Sequence, residues 1–147
     1  MSAQLQAAIA ADSRATTMAG MFITLALAVG AAGVAWFPDA RGSAYLLAST
    51  VCAAILLLAA ARAAWAARPI DFYFPGNQPP QWWPCRKGNL AELLGGESEN
   101  YGARIEYNQD RLTENQTAIK DASTLALISP ILGAGFALLA IYFSSRA

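Results

Sequence analysis

The charges along the chain leave three long uncharged runs. The first extends from Ala15 to Phe37 and is closed by Pro38; the second extends from Gly42 to Ala61, before Arg62; the third extends from Ala122 to Ser145, before Arg146. A helix needs about 20 residues to cross the hydrocarbon of a bilayer, and each run is long enough. A helix buried in a soluble core would be shorter and would keep a polar stripe, whereas these runs are apolar on every face. The pattern predicts transmembrane helices at 15–37, 43–66 and 122–145, the second carried past Arg62, whose long side chain can reach back to water. The first run is longer than a signal-peptide core and is preceded by a single basic residue, Arg14, so a retained span is expected and not a cleaved leader. Residues 1–14 read as a juxtamembrane helix, with Leu5, Ala8 and Ile9 on one face and Asp12 and Arg14 at the water boundary.

Basic residues in short loops mark the cytoplasmic side. The turn between the first two spans holds only Arg41, beside Asp39, whereas Arg68, Arg86, Lys87, Arg104, Arg111 and Lys120 all lie between the second and third. The long segment is therefore expected in the cytoplasm, with the N-terminus inside and the C-terminus outside.

Inside the spans, small residues recur at helical spacing: Gly20, Thr24 and Ala28 in the first, Gly133 and Ala137 in the third. Such spacing lets helices approach closely in lipid, so these positions are expected to carry helix packing in the membrane. Ser129-Pro130 should loosen or kink the third span.

Between the second and third spans the pattern changes twice. Residues 67–88 are rich in proline and aromatics. Pro69 should end the second helix, Pro75-Gly76 suits a turn, and Pro79-Pro80 keeps the chain extended as far as Trp82-Trp83. Aromatic rings and arginines concentrate at headgroup level, so Arg62, Trp65, Arg68, Phe72, Tyr73, Trp82 and Trp83 read as membrane-interface anchors. The competing reading is a ligand pocket, with Trp82 or Trp83 stacking on a base and Arg86 and Lys87 meeting phosphate.

Residues 89–121 read as cytoplasmic helices: a short one capped by Asn89 and ended by Gly95-Gly96, then a longer one leading to the third span. Ile105, Leu112 and Ile119 stand seven apart, and Tyr101, Asn108 and Asn115 form a companion series with the same spacing. Apolar residues at one heptad position with asparagine at the other are how coiled coils set register and subunit number. These six residues are the expected seam of a homo-oligomer. One amphipathic helix folded on its own chain is the alternative.

Composition removes most chemistry. Only 14% of the 147 residues are charged, against about 25% in soluble domains. The ten basic and ten acidic residues cancel, so no field favours nucleic acid as a partner. Histidine is absent and the two cysteines, Cys52 and Cys85, form no metal or redox motif. No catalytic residue, metal site or cofactor is expected.

The stretch "ADSRAT" entering the first span, with Asp12, Arg14 and Ala15, resembles the Asp-x-Lys/Arg-Ala entry of Pycsar-type small transmembrane effectors of bacterial anti-phage systems. That resemblance covers residues 11–37 and implies a nucleotide-triggered oligomer that disrupts the inner membrane. The Pro- and Trp-rich stretch departs from that pattern. The combination of "YFPGNQPPQWW" with "ENYGARIEYNQ" is similar to uncharacterised small proteobacterial multi-pass membrane proteins, which brings no activity with it.

The expected protein is thus an all-α membrane protein: three transmembrane helices with a cytoplasmic helical segment between helices 2 and 3, in a bacterial inner membrane. Its leading functional reading is an oligomeric effector or pore controlled by the cytoplasmic helices. Thr16, Thr17, Thr24, Ser49, Thr50, Ser123, Thr124 and Ser129 would be the polar lining of such a pore. The alternative is an accessory subunit that docks a partner through the cytoplasmic segment. The expected partners are the lipid bilayer and further copies of the chain, with a cytoplasmic protein or a nucleotide as the remaining candidates.

Overall fold

The computed structural model describes residues 2–37, 42–68, 72–73 and 89–145. They form helices α1 (Ser2–Ala35), α2 (Gly42–Ala66) and α3 (Leu90–Ser144), with no strand among the described residues. All three are long and apolar enough to cross a membrane. At 1.5 Å per residue, α2 is roughly 37 Å long, α1 roughly 50 Å and α3 roughly 80 Å, against a hydrocarbon thickness of about 30 Å. Helices α1 and α3 must therefore project well beyond a bilayer. The juxtamembrane segment at 2–14 is the first part of α1, continuous with the span and not a separate helix.

The helix ends follow local chemistry. Past α1, the Trp36 N–H donates to the Ala32 carbonyl and the Phe37 N–H to Val34, both at 3.2 Å. The step from i−4 to i−3 acceptors tightens the last turn. The same tightening ends α2, where Arg68 N–H donates to Trp65 at 3.3 Å, just before Pro69. Asn89 caps α3 as expected: its backbone is extended (φ −70°, ψ 128°) and its Oδ1 accepts from the Ala91 N–H at 3.1 Å. The expected stop at Gly95-Gly96 is absent, and α3 runs through both glycines and Gly102. A glycine stop works by adopting a positive φ, and neither residue does so. Each then costs only about 1 kcal/mol of helix propensity, which the flanking helix formers offset.

Helix α2 is central: it packs along both neighbours, while α1 and α3 meet each other over a smaller stretch. The buried face of α1 is Ala15, Ala19, Phe22, Ala26 and Gly33, alternating steps of four and three, with a double step across half-buried Val29. Cys52, Leu56, Ala59, Ala60 and Ala63 face it from α2, and Ala122 from α3. Small side chains dominate because lipid supplies no hydrophobic drive between helices, and close van der Waals contact has to replace it. Two glycines make the closest approaches. A Cβ on Gly33 would strike the Ser49 side chain; one on Gly133 would lie 2.9 Å from the Ala48 carbonyl oxygen and 3.2 Å from Cys52 Cβ.

This corrects part of the expected packing set. Gly133 packs as expected and Ala137 is half-buried, but Gly20, Thr24 and Ala28 are exposed, on the other side of α1 from the buried stripe. An alanine-rich span offers small residues on several faces at once. The α1 stripe that packs is the one bearing Phe22, which is buried in the shared apolar cluster.

Pro130 lies inside α3 and cannot donate to the Ala126 carbonyl four residues back. The Ser129 hydroxyl donates to that carbonyl at 2.8 Å, and the Cys52 thiol donates to Ser129 Oγ at 3.6 Å. Ser129 is almost fully buried. A short polar chain thus crosses from α2 and satisfies the backbone group that proline would otherwise orphan in an apolar setting.

Candidate functional site at the polar end of the bundle

Beyond the apolar core, α1, α3 and the described residues 72–73 meet at one end of the bundle. Here the stripe read as an oligomer seam finds its partner. Asn108, Leu112 and Asn115 are buried, Tyr101 and Ile119 are half-buried, and Ile105 is exposed. Asn108 is 0% exposed. Its Oδ1 accepts from the Tyr73 N–H and its Nδ2 donates to the Tyr73 carbonyl, each at 3.0 Å. The side-chain amide thus exchanges both bonds with one residue's backbone, as paired residues of antiparallel strands do. Leu112 and Asn115 line a cavity of about 140 Å³ with Leu5, Ile9 and Asp12 of α1 and with Phe72. The stripe faces the chain's own α1 and residues 72–73. Leu112 and the two asparagines are covered within the chain and are not free for a symmetric pairing of copies.

The Tyr73 ring is held as well as its backbone. Tyr107 meets it edge-on at 5.1 Å and the Arg104 guanidinium lies 5.7 Å from its centroid, within cation–π range. Arg111 donates to Tyr107 Oη at 3.1 Å and to Glu114 Oε2 at 3.0 Å. The Tyr107 contact first, and Glu114 second, hold the Arg111 guanidinium above its ordinary pKa. Tyr73 is therefore gripped at both peptide groups and at the ring by one face of α3.

Next to this grip, between the end of α2 and α3, lies an open cleft of about 620 Å³. Helix α2 contributes Arg62 and Trp65, and Arg68 follows its last turn; α3 contributes Asp110, Arg111, Glu114 and Asp121. Asp110, Glu114, Thr117 and Asp121 are spaced by four, three and four, which puts them on one helix face. The Arg68 guanidinium stacks 4.1 Å from the Trp65 ring. Within the cleft, Arg111 and Glu114 form an ion pair. The described residues thus bring three cations and three anions to the cleft, with only Arg111 and Glu114 of them in contact.

Of the expected interface anchors, Arg62, Trp65 and Arg68 line this cleft, Phe72 lines the smaller cavity against α1, and Tyr73 is held by Asn108 and Tyr107. Trp82, Trp83, Arg86 and Lys87 lie outside the described residues. Sequence reasoning passed over Trp36 and Tyr45, which meet edge-on at 5.6 Å at the opposite end of the bundle. Their signal was present in principle, one aromatic on each side of the short turn. It also passed over Asp110 and Asp121 as cleft residues, because nothing local shows that they face Arg62 and Arg68. No group of metal-ligating side chains occurs among the described residues. Comparison with known proteins finds no family model, curated protein or solved structure that matches the chain.

Proposed function

We propose that the chain is a non-catalytic accessory subunit of a bacterial inner membrane, anchored by its three spans and presenting the far end of α3 to a cytoplasmic protein. The observation that carries this reading is the unequal reach of α1 and α3. Gln4 near the start of α1 donates to the Ile105 carbonyl at 3.2 Å, so residues 90–104 extend past the end of α1. That stretch leaves Leu90 67% and Leu94 57% exposed, with the carboxylates of Glu92 and Glu99 nearby. An apolar patch on a projecting acidic helix suits a partner with a basic-rimmed groove.

The hydroxyls weigh against a pore. Thr16, Thr17, Thr24, Ser49, Thr50, Ser123, Thr124 and Ser129 each donate to a backbone carbonyl of their own helix. Hydroxyls arranged in this way are satisfied facing lipid or a neighbouring helix and need no water column. The oligomeric-effector reading, with the nucleotide trigger that the resemblance implies, keeps one supporting observation. Gly20, Thr24 and Ala28 form an exposed small stripe on α1 that suits contact between copies in lipid.

Two experiments test the proposal. A photo-crosslinking residue at position 94 should give one discrete protein adduct in cells, lost in Glu92→Lys/Glu99→Lys, while the same probe at exposed Leu127 should give none. Adducts only with further copies of the chain would favour the effector reading instead. The orientation rests on the basic residues between the second and third spans. Cys85 should resist an impermeant thiol reagent in intact cells and react after lysis; labelling in intact cells would overturn the orientation.

A further inference from the structure

We infer that the cleft between the end of α2 and α3 is a binding site for a phosphate-and-ammonium zwitterion, the headgroup chemistry of an aminophospholipid. The inference is independent of the docking role proposed above. It begins with the charges. Arg62, Arg68 and Arg111 face Asp110, Glu114 and Asp121, and only Arg111 and Glu114 touch. In an antiparallel pair, levels along the two helices follow a nearly constant sum of residue numbers, and the Gly133–Ala48 and Ser129–Cys52 contacts set it. By that register Arg62 lies within about half a turn of Asp121, and Arg68 close to the level of Glu114. Opposite charges thus face each other across the opening without closing it.

Arg62 and Arg68, without an ion-pair partner among the described residues, suit a phosphate oxyanion, which guanidinium binds through paired N–H donors. Arg68 is already oriented for this by stacking on Trp65 at 4.1 Å. Asp110 and Asp121, likewise without an ion-pair partner among the described residues, suit an ammonium group. The six charges that the described residues bring to the cleft sum to zero, which suits a ligand of zero net charge. A purely anionic headgroup would bring the same phosphate but would face three carboxylates with no cation of its own.

Position points to a lipid source. Arg62 is one turn beyond Leu58, and Asp121 is two turns before Ile128; both apolar residues are exposed. A headgroup in the cleft has an apolar, lipid-facing surface continuing directly from it, along which acyl chains can lie. Trp65, 58% exposed, sits at that boundary, as tryptophan does at membrane interfaces.

The test uses the full chain, freed of co-purified lipid in detergent and titrated by native mass spectrometry. The probes are phosphatidylethanolamine, phosphatidylcholine, phosphatidylglycerol and soluble phosphoethanolamine. Phosphatidylethanolamine should bind first and as one retained copy, ahead of phosphatidylglycerol. Phosphatidylcholine should bind less tightly, because its methylated nitrogen donates no hydrogen bond to Asp110 or Asp121. Arg62→Gln should weaken phosphatidylethanolamine binding about tenfold, the scale of one charge-assisted hydrogen bond. Asp110→Asn/Asp121→Asn should erase the preference over phosphatidylglycerol. Among the described residues Arg62 has no hydrogen-bond or ion-pair partner, so the bundle should fold without it, and Arg62→Lys should keep most of the binding. Competition by soluble phosphoethanolamine would assign the site to a free zwitterion; retention of the diacyl lipid alone would assign it to the membrane. Equal or tighter binding of phosphatidylglycerol, or unchanged binding in Arg62→Gln, would overturn the inference.

Discussion

Replacing Asn108 by leucine keeps the branched shape of the side chain, at a larger volume, and removes both hydrogen bonds to Tyr73. Both are 3.0 Å long and converge on a side chain that is fully buried. A hydrogen bond between neutral groups contributes about 0.5–1.5 kcal/mol net, and stranding a buried polar partner costs about 1–3 kcal/mol. Tyr73 itself is partly exposed, so water recovers some of that cost once its backbone is released. The expected loss in docking of residues 72–73 is about 2 kcal/mol, which corresponds to roughly 30-fold faster opening. Hydrogen exchange followed by mass spectrometry reads this directly: the Tyr73 amide should exchange about 30 times faster in Asn108→Leu. Amides in the apolar core of α2, around Leu56, should be unchanged. Asn108→Asp keeps the acceptor for the Tyr73 N–H but loses the donor and brings a carboxylate into a buried site, so it should loosen the grip at least as much at neutral pH. An unchanged Tyr73 exchange rate in Asn108→Leu would refute the grip. A change in subunit number with no change at Tyr73 would return Asn108 to a seam between copies.

The packing of the spans supports further predictions. Gly133→Ala brings a methyl group to 2.9 Å from the Ala48 backbone oxygen and should destabilise the bundle by about 1–3 kcal/mol, whereas Gly20→Ala meets nothing within 4 Å and should be neutral or stabilising by up to about 1 kcal/mol. Unfolding of the two variants in mixed detergent micelles would distinguish them; equal effects would contradict the assigned α1 face. Ser129→Ala should cost about 1 kcal/mol, the scale of one hydrogen bond, and less in a Pro130→Ala background, where the restored N–H satisfies the Ala126 carbonyl. A double-mutant cycle measures that coupling, and strict additivity would show that Ser129 does not act on the proline-freed carbonyl.

The three helices long and apolar enough to cross a membrane were legible because they depend on run length and the absence of charge, both local properties. The Asn89 cap was legible for the same reason, since its side chain bonds only two residues ahead. The glycine stop at 95–96 was misread because a glycine pair permits a left-handed turn without requiring one. Which faces of the spans pack was not legible. Gly20, Thr24 and Ala28 present the same small-residue signal as Ala15, Ala19 and Ala26, and only the tertiary packing that buries the second set with Phe22 decides between the faces. The seam illustrates the division between sequence and tertiary structure. Heptad spacing singled out Asn108, Leu112 and Asn115, which are buried, but spacing carries no information on whose chain covers them. The partner at Asn108 is a backbone 35 residues away, and Asp121 comes near the level of Arg62 only because α2 and α3 run antiparallel in a register set by Gly133 and Ser129. Local patterns state what each helix must bury or satisfy. The identity of the partner is a long-range choice, made when packing brings distant segments into contact.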